Sequence, residues 1–199
     1  MRIATVLLAA GSSSRMEGRD KLMERVGDQP LLHLMAVRAL AAGGPVIVAL
    51  PDRNSPFGLT RWDCVEGLDV LPVSVPDASE GMNASLRTTI AGLPPVDAAM
   101  ILLADLPELT ADDLRTMKQA ITRNPDHPIW RATDTDGRPG HPVAFSATLF
   151  PDLLALTGDT GAQSIVRAHK DQVHLIPLPG SHATLDLDTP EAWDTWRNR

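Results

Sequence analysis

Apolar residues in the first half of the chain fall into short, nearly unbroken runs separated by longer stretches of helical period. Residues 3–9, 46–50, 70–75 and 99–104 are largely aliphatic or β-branched, as expected of parallel strands covered on both faces. Between them, residues 30–42 place Leu31, Leu34, Met35 and Leu40 on one helical stripe, and residues 82–93 and 110–123 read as further helices bounded by Gly, Pro or capping residues. Thr110, with Asp113 three residues later, predicts a helix start. Strand and helix alternate in this way through about residue 125. The pattern predicts an α/β fold: a single-domain, open, mostly parallel sheet with helices on both faces, Rossmann-like, with ligands at the carboxyl ends of its strands.

The second half reads differently. Residues 133–142 are rich in turn formers and lead into a short strand at 141–145, helical patterns follow at 148–156 and 161–169, and residues 184–193 read as a short strand running into a Pro-initiated helix. One domain over residues 1–199 is expected, with residues 125–170 forming a subregion over the site rather than a second domain.

Composition narrows the function classes. The 199 residues, 43% of them hydrophobic, suffice for one buried core. A net charge of −7 with only 18 Lys and Arg argues against a nucleic-acid partner, whose phosphates need a basic face. No run of about eighteen apolar residues is present, and Met1-Arg2 leads straight into a strand-like segment, so neither a membrane partner nor a signal peptide is expected and the chain reads as cytoplasmic. The lone Cys64 excludes an intramolecular disulfide, no Cys/His cluster has zinc-ligand spacing, and Cys64 itself reads as packing.

Candidate chemistry gathers where the predicted strands end. The first strand runs into a small-residue loop, residues 8–21, in which backbone N–H groups can meet phosphates while Arg15 and Lys21 supply positive charge. It is neither a Walker A loop nor a dinucleotide fingerprint, and an ordinary solvated loop has the same composition. Asp105 emerges after the buried run 100–104 beside that loop, where a carboxylate is a natural Mg2+ ligand or, alternatively, a turn cap. Asp186 and Asp188 alternate with Leu185 and Leu187, which places both carboxylates on one face of a strand. Because Asp188 precedes Thr189-Pro190 it also reads as a helix N-cap, so Asp186 is assigned to the metal and Asp188 to structure. Gly81, Met82 and Ser85 open a helix after a strand and offer N–H and hydroxyl groups to a base or phosphate, although capping explains the same residue types. His141 before a strand reads as a packing residue or a substrate contact, and residues 158–163 as a loop into a helix. No Gly-x-Ser-x-Gly elbow is present.

These segments together resemble the molybdenum-cofactor nucleotidyltransferase family, closest to its molybdopterin cytidylyltransferase branch, and the resemblance runs from Leu7 to Trp193. Leu8-Ala9-Ala10-Gly11-Ser12-Ser13-Ser14-Arg15-Met16 with Lys21 resembles the family's signature loop. The resemblance implies that Leu8, Ala9, Ala10, Gly11 and Ser12 meet the nucleotide and that Arg15 and Lys21 grip its phosphates. Leu103-Ala104-Asp105-Leu106-Pro107 is similar to the metal-binding segment, which makes Asp105 both a metal ligand and a catalytic residue. Gly81, Met82 and Ser85 match a nucleotide-side motif, Gly140, His141 and Asp159 fall on the acceptor side, and Asp186-Leu187-Asp188-Thr189-Pro190 matches the second metal segment. Glu17 stands where a glycine is usual, Gln163 where an arginine is, and Leu106 where the cytidylyl branch often has glutamine. The spacing from Arg15 to Lys21 resembles guanylyl members, whereas Ala10 and Gly140-His141-Pro142 resemble cytidylyl ones.

The resemblance implies Mg2+-dependent transfer of CMP from CTP to molybdopterin with release of pyrophosphate, and it leaves open docking to a molybdenum enzyme that receives the product. A phosphate monoester nucleophile with a second pKa of about 6 needs no general base, which agrees with a sequence that offers no evident one. Three alternatives stay open: guanylyl transfer from GTP, transfer to a sugar phosphate or other small phosphorylated acceptor, and a catalytically lapsed nucleotide-binding module.

Overall fold

The computed structural model describes residues 1–158 and 160–199. Its elements are β1 (Ile3–Leu8), the short pair β2 (Arg25–Val26) and β3 (Gln29–Pro30), α1 (Leu31–Ala41), β4 (Val46–Pro51), α2 (Gly58–Val65), β5 (Leu71–Val75), α3 (Met82–Ala91), β6 (Ala98–Leu103), α4 (Ala111–Arg123), β7 (Ile129–Thr133), β8 (Pro139–Ser146), α5 (Phe150–Leu154), α6 (Gln163–Ala168), β9 (Val173–Pro177) and α7 (Pro190–Arg197). Seven strands form one sheet in the order β5-β4-β1-β6-β8-β7-β9. Only β8 runs against the others, so the expected mostly parallel α/β sheet is the one observed.

Strand residues alternate between two layers because successive side chains leave opposite faces of the sheet. On β6, Ala98, Met100 and Leu102 pack with Leu31, Leu32 and Met35 of α1, Leu114, Met117 and Ile121 of α4, and Trp193 of α7. Ala99 and Ile101 pack with Leu86 and Ile90 of α3 and with Leu153 and Ile165 on the other side. Both faces are therefore dry, which is why β4 and β6 are apolar throughout and β1 is apolar apart from the buried Thr5. Thr110 caps α4 as expected: its hydroxyl accepts from the Asp113 N–H while the Asp113 carboxylate accepts from the Thr110 N–H.

The structure corrects five element readings. α2 was not expected, and neither were β7 and β9, whose sequences carry no distinctive strand pattern. The turn-rich loop is shorter than residues 133–142, since β7 and β8 form a hairpin closed by an Asp134 carboxylate that accepts from the Asp136 and Arg138 N–H groups. Residues 185–188 belong to no strand, because the segment is tied by single hydrogen bonds, including Leu187 N–H to the Asp105 carbonyl at 3.2 Å. Among the described residues no helix is long and apolar enough to cross a membrane.

Candidate functional site

At the carboxyl edge of β1, β4 and β6 opens a pocket of about 750 Å³. Leu8, Ala9, Ala10, Gly11 and Ser12 form one wall, Gly81, Met82 and Ser85 at the start of α3 form the opposite one, and Arg15, Lys21, Asp105, Asp186 and Asp188 close the end. Twelve positions singled out in the sequence thus meet in one cavity, joined by Asp188. Gly81 adopts φ 102° and ψ −169°, a backbone conformation open in practice only to glycine, and so lets the chain turn sharply into α3. That helix aims its unpaired N–H groups and positive dipole end at the cavity, which favours an anion there.

The charged end is a cluster of three carboxylates and two cations. Lys21 Nζ donates to Asp105 Oδ2 at 2.5 Å and to Asp188 Oδ1 at 2.6 Å, and Arg15 donates to Asp188 Oδ2. Burial would raise the Asp188 pKa, but the hydrogen bond and charge of Lys21, with Arg15 adding, hold it below the usual carboxylate range. Asp186 has no such partner: burial, the Asp188 interaction and the Asp105 charge push its pKa up. Asp188 is therefore not the helix cap that its position suggested. Thr189 caps α7, its hydroxyl accepting from the Ala192 N–H, which frees Asp188 for the cavity.

The donor set suits a hard divalent cation, being oxygen throughout, and Asp105 Oδ1 is buried with no hydrogen-bond partner among the described residues. Among the described residues no three metal-binding side chains stand close enough to hold an ion by themselves. A small octahedral ion typically takes one or two carboxylates and completes its shell with water and substrate phosphate, so Asp105 with Asp186 or Asp188 is a sufficient protein contribution.

His141 lies apart from this cluster. It lines a second cavity of about 250 Å³ together with Ile101, Arg131, Val143, Phe145 and Gln163, and Met82 borders both cavities. Gly140 lines neither. A Cβ at Gly140 would stand 1.9 Å from the Ala183 carbonyl oxygen, so glycine here serves the close approach of β8 to the segment before Asp186. Asp159 lies outside the described residues. Glu17 holds φ 52°, the left-handed region that explains why a glycine is usual there, and Leu106 is buried in the core away from either cavity. Cys64 packs against the core and burial pushes its thiol pKa up, the opposite of an activated nucleophile.

Burial, with the charge of Arg131, pulls the His141 pKa down to about 4. A histidine in the unfolded chain titrates near 6.5, so the unfolded state takes up the proton first. Stability from this site is full above that value and is lost as pH falls toward 4. Urea unfolding at pH 7.0 and 5.5 should therefore show a loss of about 1 kcal/mol in the native protein that is absent in His141→Gln. An identical pH dependence in the two proteins would rule out a buried neutral imidazole.

Sequence reasoning missed two residues that shape the first wall. Arg61 of α2 is fully buried and pairs with Asp20 through Nε at 2.8 Å and Nη2 at 2.7 Å, while its Nη1 reaches the Ala9 and Gly11 carbonyls, each at 2.7 Å. A lone arginine in a short polar helix carries no local sign of burial. Only the packing of α2 beneath the loop shows it.

Against known proteins, the model of the MobA-like NTP transferase domain matches residues 5–173. The purine catabolism protein PucB of Bacillus subtilis is 28% identical over 96% of this chain and 94% of its own length. A probable molybdenum cofactor guanylyltransferase of Synechococcus elongatus is 30% identical over 63% of this chain and 62% of its own. Among solved structures, Rv0371c of Mycobacterium tuberculosis superimposes with a TM-score of 0.82 at 28% identity, covering 100% of this chain and 98% of that one. A manganese complex of Rv0371c superimposes at 0.79 with 26% identity over 98% and 97% of the two chains.

Proposed function

Since the chain belongs to the MobA-like NTP transferase family and is a nucleotidyltransferase, we propose that it transfers CMP from CTP to molybdopterin in a Mg2+-dependent reaction that releases pyrophosphate. The observation that carries the reading is the single cavity in which a small-residue loop, two cations and three carboxylates face one another.

In this reading the nucleotide lies between the wall of Leu8 to Ser12 and the start of α3, with Arg15 and Lys21 toward its phosphates. Asp105, with Asp186 or Asp188, would hold the Mg2+, which when bound would supply neutralisation of phosphate charge and Lewis-acid polarisation. The acceptor's terminal phosphate, already anionic at neutral pH, attacks the α-phosphorus in line with the leaving pyrophosphate. The contribution of the chain is then positioning and charge neutralisation without a general base. His141 fits this scheme as a neutral wall of the acceptor side, in a subregion formed by residues 125–170 that includes the second cavity, and not as a base.

CTP is favoured over GTP by Ala10, which packs on Ala49, Val75 and Ala84 at the back of the loop, and by the Gly140-His141-Pro142 segment, both of which resemble the cytidylyl branch. GTP is supported by the Synechococcus relative, which is named a guanylyltransferase. Incubating the protein with Mg2+, molybdopterin and each of CTP, GTP, ATP and UTP, and measuring pyrophosphate release, decides between them. Release with CTP alone is expected; release with GTP alone transfers the protein to guanylyl chemistry, and binding without release from any of the four discards the molybdopterin assignment.

A further inference from the structure

Beneath the nucleotide wall, Arg61 has all of its donors engaged. A guanidinium carries five N–H groups, and here they meet five acceptors: both Asp20 oxygens, the Ala9 and Gly11 carbonyls, and Ser13 Oγ at 3.1 Å. Asp20 Oδ1 also accepts from the Leu22 N–H at 3.0 Å, and Ser13 Oγ accepts from the Lys21 N–H at 3.3 Å. One buried side chain therefore ties together both ends of the loop that carries Arg15 and Lys21.

The direction of these bonds matters more than their number. A trans peptide is planar, with its C=O and N–H pointing opposite ways. With the Ala9 and Gly11 carbonyls turned down onto Arg61, the N–H groups of the same peptide units, those of Ala10 and Ser12, are turned away from it. Ala10 and Ser12 line the large cavity, and among the described residues neither N–H has a protein acceptor. A buried ion pair contributes little to stability against an apolar replacement, so a fully engaged Arg61 under this loop has its effect in orienting the backbone above it.

We propose that Arg61 is a positioning residue that aims the Ala10 and Ser12 peptide N–H groups into the cavity as a binding site for phosphate oxygens of the nucleoside triphosphate. The inference rests on the nucleotidyl-transfer reading and adds to it the residue that shapes the phosphate site.

The test uses 15N-labelled whole protein titrated with inorganic pyrophosphate and with CTP. The Ala10 and Ser12 amide resonances should move in step with binding. Two variants follow. Arg61→Lys keeps a cation beside Asp20 but cannot span two carbonyls, and the double variant Arg61→Met with Asp20→Asn removes both charges so that no carboxylate is left buried and unpaired. Each variant should bind pyrophosphate about 10- to 100-fold more weakly, with the two amide shifts reduced and with the KM for nucleotide raised while the KM for acceptor is unchanged. Pyrophosphate binding to the native protein without movement of these two amides overturns the proposal, as does native affinity in either variant or an equal rise in both KM values. Amide movement without any transfer to molybdopterin refutes the acceptor assignment and leaves the role of Arg61 standing; absence of all pyrophosphate and CTP binding refutes both.

Discussion

Asp105→Ala is expected to lower pyrophosphate release at least 100-fold, about 2.7 kcal/mol of transition-state stabilisation, while the protein stays folded. The side chain stands at the carboxyl end of the central strand β6, with one oxygen on Lys21 and the other buried and unpartnered. An unpartnered buried carboxylate oxygen is costly to maintain, and a divalent cation would relieve that cost. The fold does not depend on the carboxylate, because the tie from the C-terminal segment runs to the Asp105 backbone carbonyl. Removing one of three neighbouring carboxylates also relieves repulsion on Asp186, so the thermal midpoint should change by only a few degrees. Asp105→Asn should be nearly as inactive, since an amide cannot balance metal charge. Activity above a tenth of the native rate, a loss under about 1.4 kcal/mol, would exclude Asp105 from the metal site.

Much of this arrangement is legible in the sequence, for reasons that differ by element. β1, β4 and β6 are buried on both faces, so their apolar runs are nearly continuous, broken only at Thr5, and need no partner to be recognised. The small residues of the first loop and the Asp105 turn follow such strands directly, which places them at one edge of the sheet. β7 and β9 were not legible because their residues alternate irregularly: Ile129 and Trp130 are both buried while Val173 and His174 are both half-exposed, as the distal half of a sheet permits. Asp188 was misread because one residue separates it from Pro190, and both Asp188 and Thr189 are good cap formers; the choice between them depends on Lys21, 167 residues away in sequence. Arg61 was invisible for the same reason, since its partners are Asp20 and two carbonyls of the first loop. Local chemistry located the cavity, and contacts distant in sequence decided which charges face it.

Lys21→Met should have an effect on activity of similar size and a second effect that the Asp105 variants lack. Burial pulls the Lys21 pKa down, but Asp105 and Asp188 outweigh it and leave it raised, so Lys21 is a fixed cation between two carboxylates. Without it, Asp105, Asp186 and Asp188 share one end of the cavity with only Arg15, whose side chain is 68% exposed and correspondingly screened. Three crowded carboxylates with little compensation should cost about 2 kcal/mol of stability in metal-free buffer. The same crowding strengthens attraction for a divalent cation, and a ligand that binds only the folded state stabilises it in proportion to its affinity. Thermal melts with and without millimolar Mg2+ should therefore show a larger Mg2+-dependent rise in Lys21→Met than in the native protein, while pyrophosphate release stays at least 100-fold down because the charge opposite the nucleotide phosphates is gone. Equal Mg2+ shifts in the two proteins would mean that Lys21 does not offset the charge of the carboxylates that hold the metal, and the assignment of Asp186 or Asp188 beside Asp105 would fall with that result.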